Sequence, residues 1–160
     1  MLFRRLKGLR KMAEPETIVR AAGPGDIDRI MSLEQGSIVH PWDRKEIETL
    51  ISDKNKKCLV LQYDGEVVSY VGAETVLDEC NIGNIVTDRE YRGRGLASVL
   101  MGALLEELAE LGIAKIFLEV EYDNAPAIAL YEKYGFERYG QRRDYYGKGK
   151  DAVLMSKALC

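Results

Sequence analysis

The spacing of hydrophobic and polar residues changes along this chain, and these changes predict its strands and helices. Apolar, β-rich stretches predict strands over 17–22, 57–63, 66–77 and 81–87. From Leu96 to Leu111 leucines recur about every fourth residue, which predicts the clearest helix of the chain. Beyond this helix the pattern predicts a buried strand over 113–120, a helix over 125–134 and closing strands over 137–145 and 152–157.

Turn and capping signals mark the boundaries in the first half of the chain. The segment 23–26 (Gly-Pro-Gly-Asp) separates the first strand from a helical pattern that runs to Glu34. Asp43, with Glu46 three residues later, forms a capping box that predicts a second short helix. Asp64-Gly65 predicts a tight hairpin between the strands over 57–63 and 66–77.

The order of these elements predicts the fold class. A strand, a glycine-rich loop and a helix are followed at once by another strand and helix, and hairpins flank this unit. We therefore expect an α/β fold with a mixed central sheet of about seven strands and helices on both faces. The 160 residues fit one domain over 17–160, preceded by a basic extension over 1–16 that we expect to be mobile.

The distribution of charge changes the range of expected partners. Five basic residues lie in the first eleven, so a net charge of −3 leaves about −8 on the rest of the chain. A nucleic-acid surface needs a basic face on the folded body, so we expect no direct nucleic-acid partner. The tail itself could instead be an amphipathic helix or a contact to a ribosome or membrane surface. Charged residues interrupt every apolar segment, and a membrane-spanning helix is therefore excluded.

Cysteine and histidine usage disfavours metal and disulfide chemistry. Cys58, Cys80 and Cys160 are odd in number and widely spaced, and His40 is the single histidine. This pattern predicts neither a zinc site nor a disulfide framework, and we expect His40 to be non-catalytic. Without a secretory signal, three thiols indicate a reducing, cytoplasmic compartment.

The segment Tyr91 to Ser98 carries the strongest chemical signal. Gly93 and Gly95 would let a ligand approach the backbone, and the free N–H groups at the helix start suit a pyrophosphate, with Arg92 and Arg94 adding positive charge. A Walker loop needs Gly-Lys-Ser/Thr, and a dinucleotide fingerprint needs Gly or Ala in place of the final serine, so neither motif fits. Taken alone, the glycines could equally shape a turn beside solvated arginines.

The same segment resembles a known family signature. Arg92-Gly93-Arg94-Gly95-Leu96-Ala97 looks like the R/Q-x-x-G-x-G/A motif of the GNAT N-acetyltransferases. Leu118-Glu119-Val120 and the segment 124–136 resemble the RimI branch, the ribosomal-protein N-terminal alanine acetyltransferases and their archaeal relatives, and the likeness covers about 17–158. It implies the GNAT acyl-CoA N-acyltransferase fold and acetyl-CoA as co-substrate. The implied cofactor-binding residues are Ile85, Val86, Thr87, Arg92, Gly93, Arg94, Gly95, Leu96, Ala97, Ser98 and Asn124.

Two segments of the chain depart from the RimI pattern. The segment 84–87 reads Asn-Ile-Val-Thr where RimI proteins usually have Asn-Ile-Ala-Val, a change that should spare backbone contacts. The loop 147–150 is shorter than in many members, which leaves the substrate preference open.

The resemblance assigns roles to three residues that each have a structural alternative. Glu119 would be the general base, although a glutamate in an apolar strand could also lie exposed at a sheet edge. Tyr131 would be the acid, although it could be a core aromatic residue of its helix. Asn124 would bind the pantetheine arm, and it could also cap the helix that follows.

The predicted function is acetylation of the α-amino group of a protein or peptide N-terminus, by direct attack of the amine on acetyl-CoA. A ribosomal protein is one candidate substrate, no metal and no membrane partner is expected, and the chain should be a monomer or a weak dimer. Two alternatives remain: acetylation of a lysine side chain or small amine, and a non-catalytic acyl-CoA-binding module. The binding module would need neither Glu119 nor Tyr131.

Overall fold

The computed structural model describes residues 15–38 and 40–159. The predicted mobile extension therefore lies, up to residue 14, outside the described residues. The seven strands are β1 (Thr17–Ala21), β2 (Lys56–Tyr63), β3 (Glu66–Val76), β4 (Glu79–Thr87), β5 (Lys115–Glu121), β6 (Glu137–Arg142) and β7 (Ala152–Ala158). The helices are α1 (Ile27–Ser37), α2 (Arg44–Ser52), α3 (Leu96–Glu110) and α4 (Ala125–Lys133). None of these helices is long and apolar enough to cross a membrane.

The strands form one mixed sheet in the order β1-β2-β3-β4-β5-β7-β6. All neighbouring pairs are antiparallel except β4 and β5, which run parallel because α3 crosses between them. The predicted α/β class and mixed seven-stranded sheet are confirmed.

Helices cover both faces of the sheet, as predicted. Alternate residues of β2 point to opposite faces: Leu59 and Leu61 pack in the α3 and α4 cluster, whereas Cys58 and Val60 pack in the α1 and α2 cluster. The leucine stripe of α3 is buried, and Leu100, Leu104 and Leu108 are fully enclosed. Each Å² of apolar surface that is removed from water stabilises the fold by roughly 25 cal/mol, so the buried leucines hold α3 against the sheet.

The predicted strand over 137–145 is too long. The strand β6 ends at Arg142, and the chain then turns through Asp144, whose φ of 53° is incompatible with a strand. Asp151 stabilises this turn, because its carboxylate accepts hydrogen bonds from the Gln141 side chain at 2.7 Å and the Asp144 backbone at 3.0 Å. The segment 143–151 is therefore a structured loop rather than part of the sheet.

The parallel pair β4 and β5 separates halfway along its length. The two strands pair only over Glu79–Ile82 and Lys115–Leu118. Two residues of β4, Gly83 and Asn84, lie opposite the single residue between Val71 and Ala73 of β3, so β4 carries a bulge where the separation begins. Beyond this point β4 pairs only with β3 and β5 pairs only with β7, which leaves a gap at the carboxyl ends of the parallel strands.

An ion pair fixes the start of α1. The Arg20 side chain donates to both carboxylate oxygens of Asp26 at 2.7 and 2.9 Å, and the Gly23 backbone donates to Asp26 at 2.8 Å. The hydrogen bonds from Arg20 lower the pKa of Asp26 most, and the bond from Gly23 adds to this effect against the opposing cost of burial.

Asp26→Asn should lower the free energy of unfolding by about 1.5–3 kcal/mol at pH 7, the range for hydrogen bonds to charged groups. Because the folded pKa of Asp26 lies below its unfolded value, this stabilisation is present above about pH 4 and is lost as the pH falls through the folded pKa. Urea unfolding at several pH values should therefore show the two proteins converging at acidic pH.

The matched control is Asp28→Asn, since Asp28 pairs with Arg44 but is 84% exposed. An exposed pair of this kind should contribute at most about 1 kcal/mol. An equal loss in both variants would show that the Asp26 pair has no special role.

Candidate functional site

The loop before α3 has the geometry of an anion site. Gly93 and Gly95 have φ values of 78° and 76°, a left-handed conformation that strongly favours glycine. A Cβ atom added at either glycine would meet no other atom within 4 Å, so the space above this backbone is open. Gly95 is the N-cap of α3 and offers no side-chain acceptor, and the first turn of α3 contains no acidic residue. The free N–H groups of that turn are therefore available to an anion.

Both arginines of this loop already have partners. Arg92 donates to the carbonyl oxygen of Thr87 at 3.2 Å and to the Ser37 hydroxyl at 2.9 Å, which ties the loop to the last turn of α1. The Arg94 guanidinium lies over the rings of Tyr63 and Tyr91, 5.4 and 5.0 Å from their centroids. These contacts shape the loop and commit part of the positive charge that the sequence suggested for the anion.

The first turn of α3 anchors the loop to the core. Leu96 is buried, whereas Ala97 and Ser98 are only partly covered. The Ser98 hydroxyl lies 2.8 Å from the hydroxyl of Tyr134, and Tyr134 donates to the Ser98 carbonyl at 2.5 Å. The start of α3 is thus joined to the end of α4.

The gap between β4 and β5 is lined by the backbone of Ile85, Val86 and Thr87, three residues that were predicted to bind the cofactor. The side chains of Ile85 and Val86 pack into the cores on opposite faces of the sheet, so neither projects into the gap. The main chain of this segment pairs with β3 on one side and has no ladder partner in β5 on the other. Val86 therefore changes a core, and the Thr87 hydroxyl lies 2.9 Å from that of Ser69, so neither departure from the usual Ala and Val alters the open backbone edge.

Glu119 lies on the other side of the same gap. It is a half-buried residue of β5, one position beyond the last residue that pairs with β4, so it borders the gap although β5 lies inside the sheet order. Its side chain alternates with Leu118 and Val120, which pack beneath α3, and therefore points to the opposite face. There it lines an open cavity of about 320 Å³. The other lining residues are Trp42, Leu50, Lys56, Gly72, Ala73, Glu74, Asn81, Ile82 and Gly83.

Tyr131 and Asn124 follow β5 on α4. The ring of Tyr131 is buried in the core against Phe136, with the ring centroids 5.8 Å apart, and its hydroxyl has no hydrogen-bond partner among the described residues. Burial raises the pKa of Tyr131 to about 12. Asn124 is the N-cap of α4, and its side-chain oxygen accepts from the Ala127 backbone at 3.3 Å. The predicted capping role of Asn124 is therefore present, and its amide group keeps its donors for another partner.

A fully buried acid on α1 is the feature that sequence reasoning underestimated. Tyr70 donates to Oε1 of Glu34, and Asn84 donates to the same oxygen at 2.9 Å. The second oxygen, Oε2, is the buried side-chain atom without a partner among the residues that the structure describes. Because Asn84 belongs to the β4 bulge, this carboxylate lies directly behind the gap. The one sequence signal was an acid on the apolar face of a predicted helix, next to Leu33.

The loop between β6 and β7 brings a second tyrosine near Glu119. Burial raises the pKa of Tyr146, and the negative charge of Glu119 is the next largest cause, followed by the neighbouring Tyr145 and Tyr131. Tyr146 therefore lies within electrostatic range of both predicted catalytic residues. Asp144 and Asp151 hold the loop in this position through backbone hydrogen bonds.

The cysteines and the histidine take no visible part in the site. Burial raises the pKa of both Cys58 and Cys80 to about 12, so neither is a thiolate at neutral pH. Cys160 lies outside the described residues. His40 is exposed in a bend before Trp42. Within residues 15–38 and 40–159, no group of acidic, histidine or cysteine side chains is arranged to hold a metal ion.

Comparisons with known proteins identify relatives of this arrangement. Residues 27–136 match the family model described as the Acetyltransferase (GNAT) family. The ribosomal protein bS18-alanine N-acetyltransferase of Escherichia coli (strain K12) is 35% identical over 137 residues, which cover 82% of this chain and 90% of that protein. The predicted resemblance to the RimI branch is confirmed.

Solved structures agree with this result. The crystal structure of the ribosomal-protein-S18-alanine N-acetyltransferase from Escherichia coli matches with a TM-score of 0.83 at 30% identity, over 90% of this chain and 94% of that one. The structure of yncA from Salmonella typhimurium with its cofactor acetyl-CoA matches with a TM-score of 0.79 at 19% identity, over 90% of this chain and 94% of that one. The second likeness shows a shared fold.

Gly95→Ala should weaken acetyl-CoA binding at least tenfold, because the new methyl group would occupy the open space above the loop and strain its left-handed backbone. Calorimetric titration with acetyl-CoA measures the change in affinity.

Gly112→Ala is the matched control, since Gly112 has a φ of 80° and equally empty surroundings at the far end of α3. Both variants should lose similar thermal stability, whereas only Gly95→Ala should lose affinity. Equal affinity in the two variants would remove the loop from the binding site.

Proposed function

Because the chain belongs to the GNAT family of acetyltransferases, we propose that it transfers the acetyl group of acetyl-CoA to the α-amino group of a protein or peptide N-terminus. One observation carries the proposal: the gap between β4 and β5 has an anion loop on one side and the Glu119 carboxylate on the other. Its Escherichia coli relative is named for alanine N-acetylation of bS18, which makes a ribosomal protein the first candidate substrate.

The gap accommodates an extended cofactor arm. The unpaired backbone edge of Ile85, Val86 and Thr87 can exchange hydrogen bonds with the amide groups of pantetheine, as an added strand would. The pyrophosphate then lies at the N-terminus of α3, where the helix dipole and free N–H groups favour negative charge. Asn124 can donate to the same arm from its amide nitrogen while its oxygen caps α4.

Glu119 is the proposed general base, acting directly or through a water molecule. Its carboxylate opens into the cavity beside Trp42, on the face of the sheet opposite α3. A protonated α-amine is attracted by this negative charge and then loses its proton before attack on the thioester. An α-amine has a pKa of about 7.7–8.0 and a lysine about 10.4, so exposing a free lysine amine costs ~3.4 kcal/mol more at neutral pH. A carboxylate base therefore favours N-termini over lysine side chains.

Tyr131 is the proposed acid for the departing thiolate of CoA. Since burial raises its pKa to about 12, the hydroxyl stays protonated at neutral pH. Its hydroxyl donates a hydrogen bond to the sulfur and stabilises the charge that develops there as the C–S bond breaks. Because full transfer to a thiolate with a pKa near 8.5 is uphill by about 3.5 pKa units, that transfer is completed only as solvent returns a proton to the tyrosine. Burial keeps Cys58 and Cys80 protonated, so neither of these two described cysteines is suited to take up the acetyl group, and the amine attacks acetyl-CoA directly.

The test of the proposed function is release of CoA thiol with a panel of acceptors. Peptides with a free N-terminus and different first two residues should be acetylated at the α-amine, as located by mass spectrometry. The same peptides with a blocked N-terminus and an internal lysine, and a polyamine, should react far more slowly. Faster reaction of lysine or polyamine would establish the alternative enzyme, and acetyl-CoA binding without transfer to any acceptor would establish a binding module.

Glu119→Gln should lower kcat by about 10²-fold or more and change the pH–rate profile, while acetyl-CoA affinity stays near that of the wild type. Stopped-flow thiol release and calorimetry measure the two effects. Glu121→Gln, on the same face of β5 and two residues further along, is the control and should keep its rate. Full activity in Glu119→Gln would move the base role to another group, with the buried Glu34 as the next candidate.

Tyr131→Phe should lower kcat roughly tenfold or more and preserve the fold, because only the hydroxyl is lost. Acyl donors whose thiols differ in pKa distinguish proton donation from mere orientation. If Tyr131 protonates the leaving group, the rate of the variant should depend more steeply on thiol pKa than the rate of the wild type. Identical slopes would leave Tyr131 as a positioning residue.

A further inference from the structure

We propose that Lys133, at the end of α4, is a binding residue for the pyrophosphate of acetyl-CoA. Its ammonium group lies 3.0 Å from the hydroxyl of Ser98, in the first turn of α3. This inference rests on the proposed function, because it assumes that acetyl-CoA occupies the loop before α3. It adds a residue from outside the loop to the site.

The two loop arginines are already engaged, so a cation from another element would strengthen an anion site at this helix start. Arg92 is tied to Thr87 and Ser37, and Arg94 is stacked over Tyr63 and Tyr91. Lys133, by contrast, has no carboxylate within 4.0 Å among the described residues. Its one hydrogen-bond partner in that part of the chain is the Ser98 hydroxyl, and an ammonium group has three donors to share. The ammonium group also lies 5.7 Å from the centroid of the Tyr134 ring, but two of its N–H donors have no hydrogen-bond partner among the described residues, so Lys133 can still meet an anion that binds the same turn.

Hydrogen bonds between the start of α3 and the end of α4 hold Lys133 at this position. The neighbouring Tyr134 donates to the Ser98 carbonyl at 2.5 Å, and its hydroxyl lies 2.8 Å from the Ser98 hydroxyl. Gly102 permits this approach, since a Cβ atom there would lie 3.4 Å from the Tyr134 hydroxyl. The hydrogen-bond directions agree: Lys133 donates to the Ser98 hydroxyl, that hydroxyl donates to Tyr134, and Tyr134 donates to the Ser98 carbonyl.

The position of Lys133 favours a contact with the pyrophosphate of the cofactor rather than with its 3′-phosphate. The backbone N–H of Ser98 is one of the unpaired donors of the first turn, and these donors face the pyrophosphate. A cation bonded to the hydroxyl of the same residue lies next to that group. The 3′-phosphate is attached to the ribose, one sugar ring further along the cofactor.

The test is calorimetric titration of Lys133→Gln with CoA, 3′-dephospho-CoA and pantetheine. The variant should bind CoA and 3′-dephospho-CoA about five- to tenfold more weakly than the wild type, and pantetheine with unchanged affinity. Lys133→Arg should recover most of the loss. Lys54→Gln is the matched control, because Lys54 is exposed in the turn at the other end of β2 from Tyr63. Equal thermal stability of the variants excludes a folding defect.

Three results would overturn the assignment. Unchanged affinity in Lys133→Gln would show that the ammonium group does not meet the cofactor. A loss for CoA but not for 3′-dephospho-CoA would place Lys133 at the 3′-phosphate instead. A loss for pantetheine as well would indicate a general disturbance of α4. Failure of the wild type to bind CoA would instead refute the proposed function, and the two failures are therefore distinguishable.

Discussion

The separation of β4 from β5 is the constraint on which the site depends. Buried backbone N–H and C=O groups require partners, so a sheet does not part without a reason. Here the bulge at Gly83 and Asn84 turns β4 away after Ile82, and β5 is held on its other side by β7. The resulting gap opens at the carboxyl ends of a parallel pair, where helices begin and ligands of α/β folds generally bind. The loop before α3 and Glu119 lie on opposite sides of this opening, because the loop follows β4 and Glu119 belongs to β5.

The bulge itself depends on the buried cluster of Glu34, Tyr70 and Asn84. Removing a carboxylate from water costs several kcal/mol unless hydrogen bonds compensate. Two donors meet one oxygen of Glu34, and burial, with the charge of Glu34 as the next cause, raises the pKa of Tyr70 so that its hydroxyl remains a donor. Since Glu34 belongs to α1 and Asn84 to β4, the cluster fastens the helix to the bulge. The second oxygen, Oε2, can accept a further hydrogen bond, because none of the described residues donates to it.

The positive charge around the loop before α3 is not arranged as the local sequence suggests. Arginines within a glycine loop suggest direct phosphate contacts, but Arg92 joins β4 to α1 and Arg94 stacks on two tyrosines. Their contacts hold the loop beside the first turn of α3, and in the proposed complex the backbone N–H groups of that turn would face the pyrophosphate. Lys133 can add positive charge from α4, whose position depends on the close contact of Tyr134 with Gly102.

The sequence by itself determined the features that depend on local patterns. Leucine spacing predicted α3, Asp64-Gly65 predicted the hairpin, Asp43 and Glu46 predicted the cap of α2, and the glycines at 93 and 95 predicted a loop whose backbone a ligand can approach. Family motifs added Glu119 and Tyr131, whose roles stay predictions. Only the tertiary structure decided that β4 and β5 part after Ile82, that Glu34 is enclosed between Tyr70 and Asn84, that the charge of Glu119 acts on Tyr146, and that Lys133 meets Ser98. The reason is physical: each of these features depends on residues at least 27 positions apart in the chain, whereas periodicity and capping extend over only a few residues.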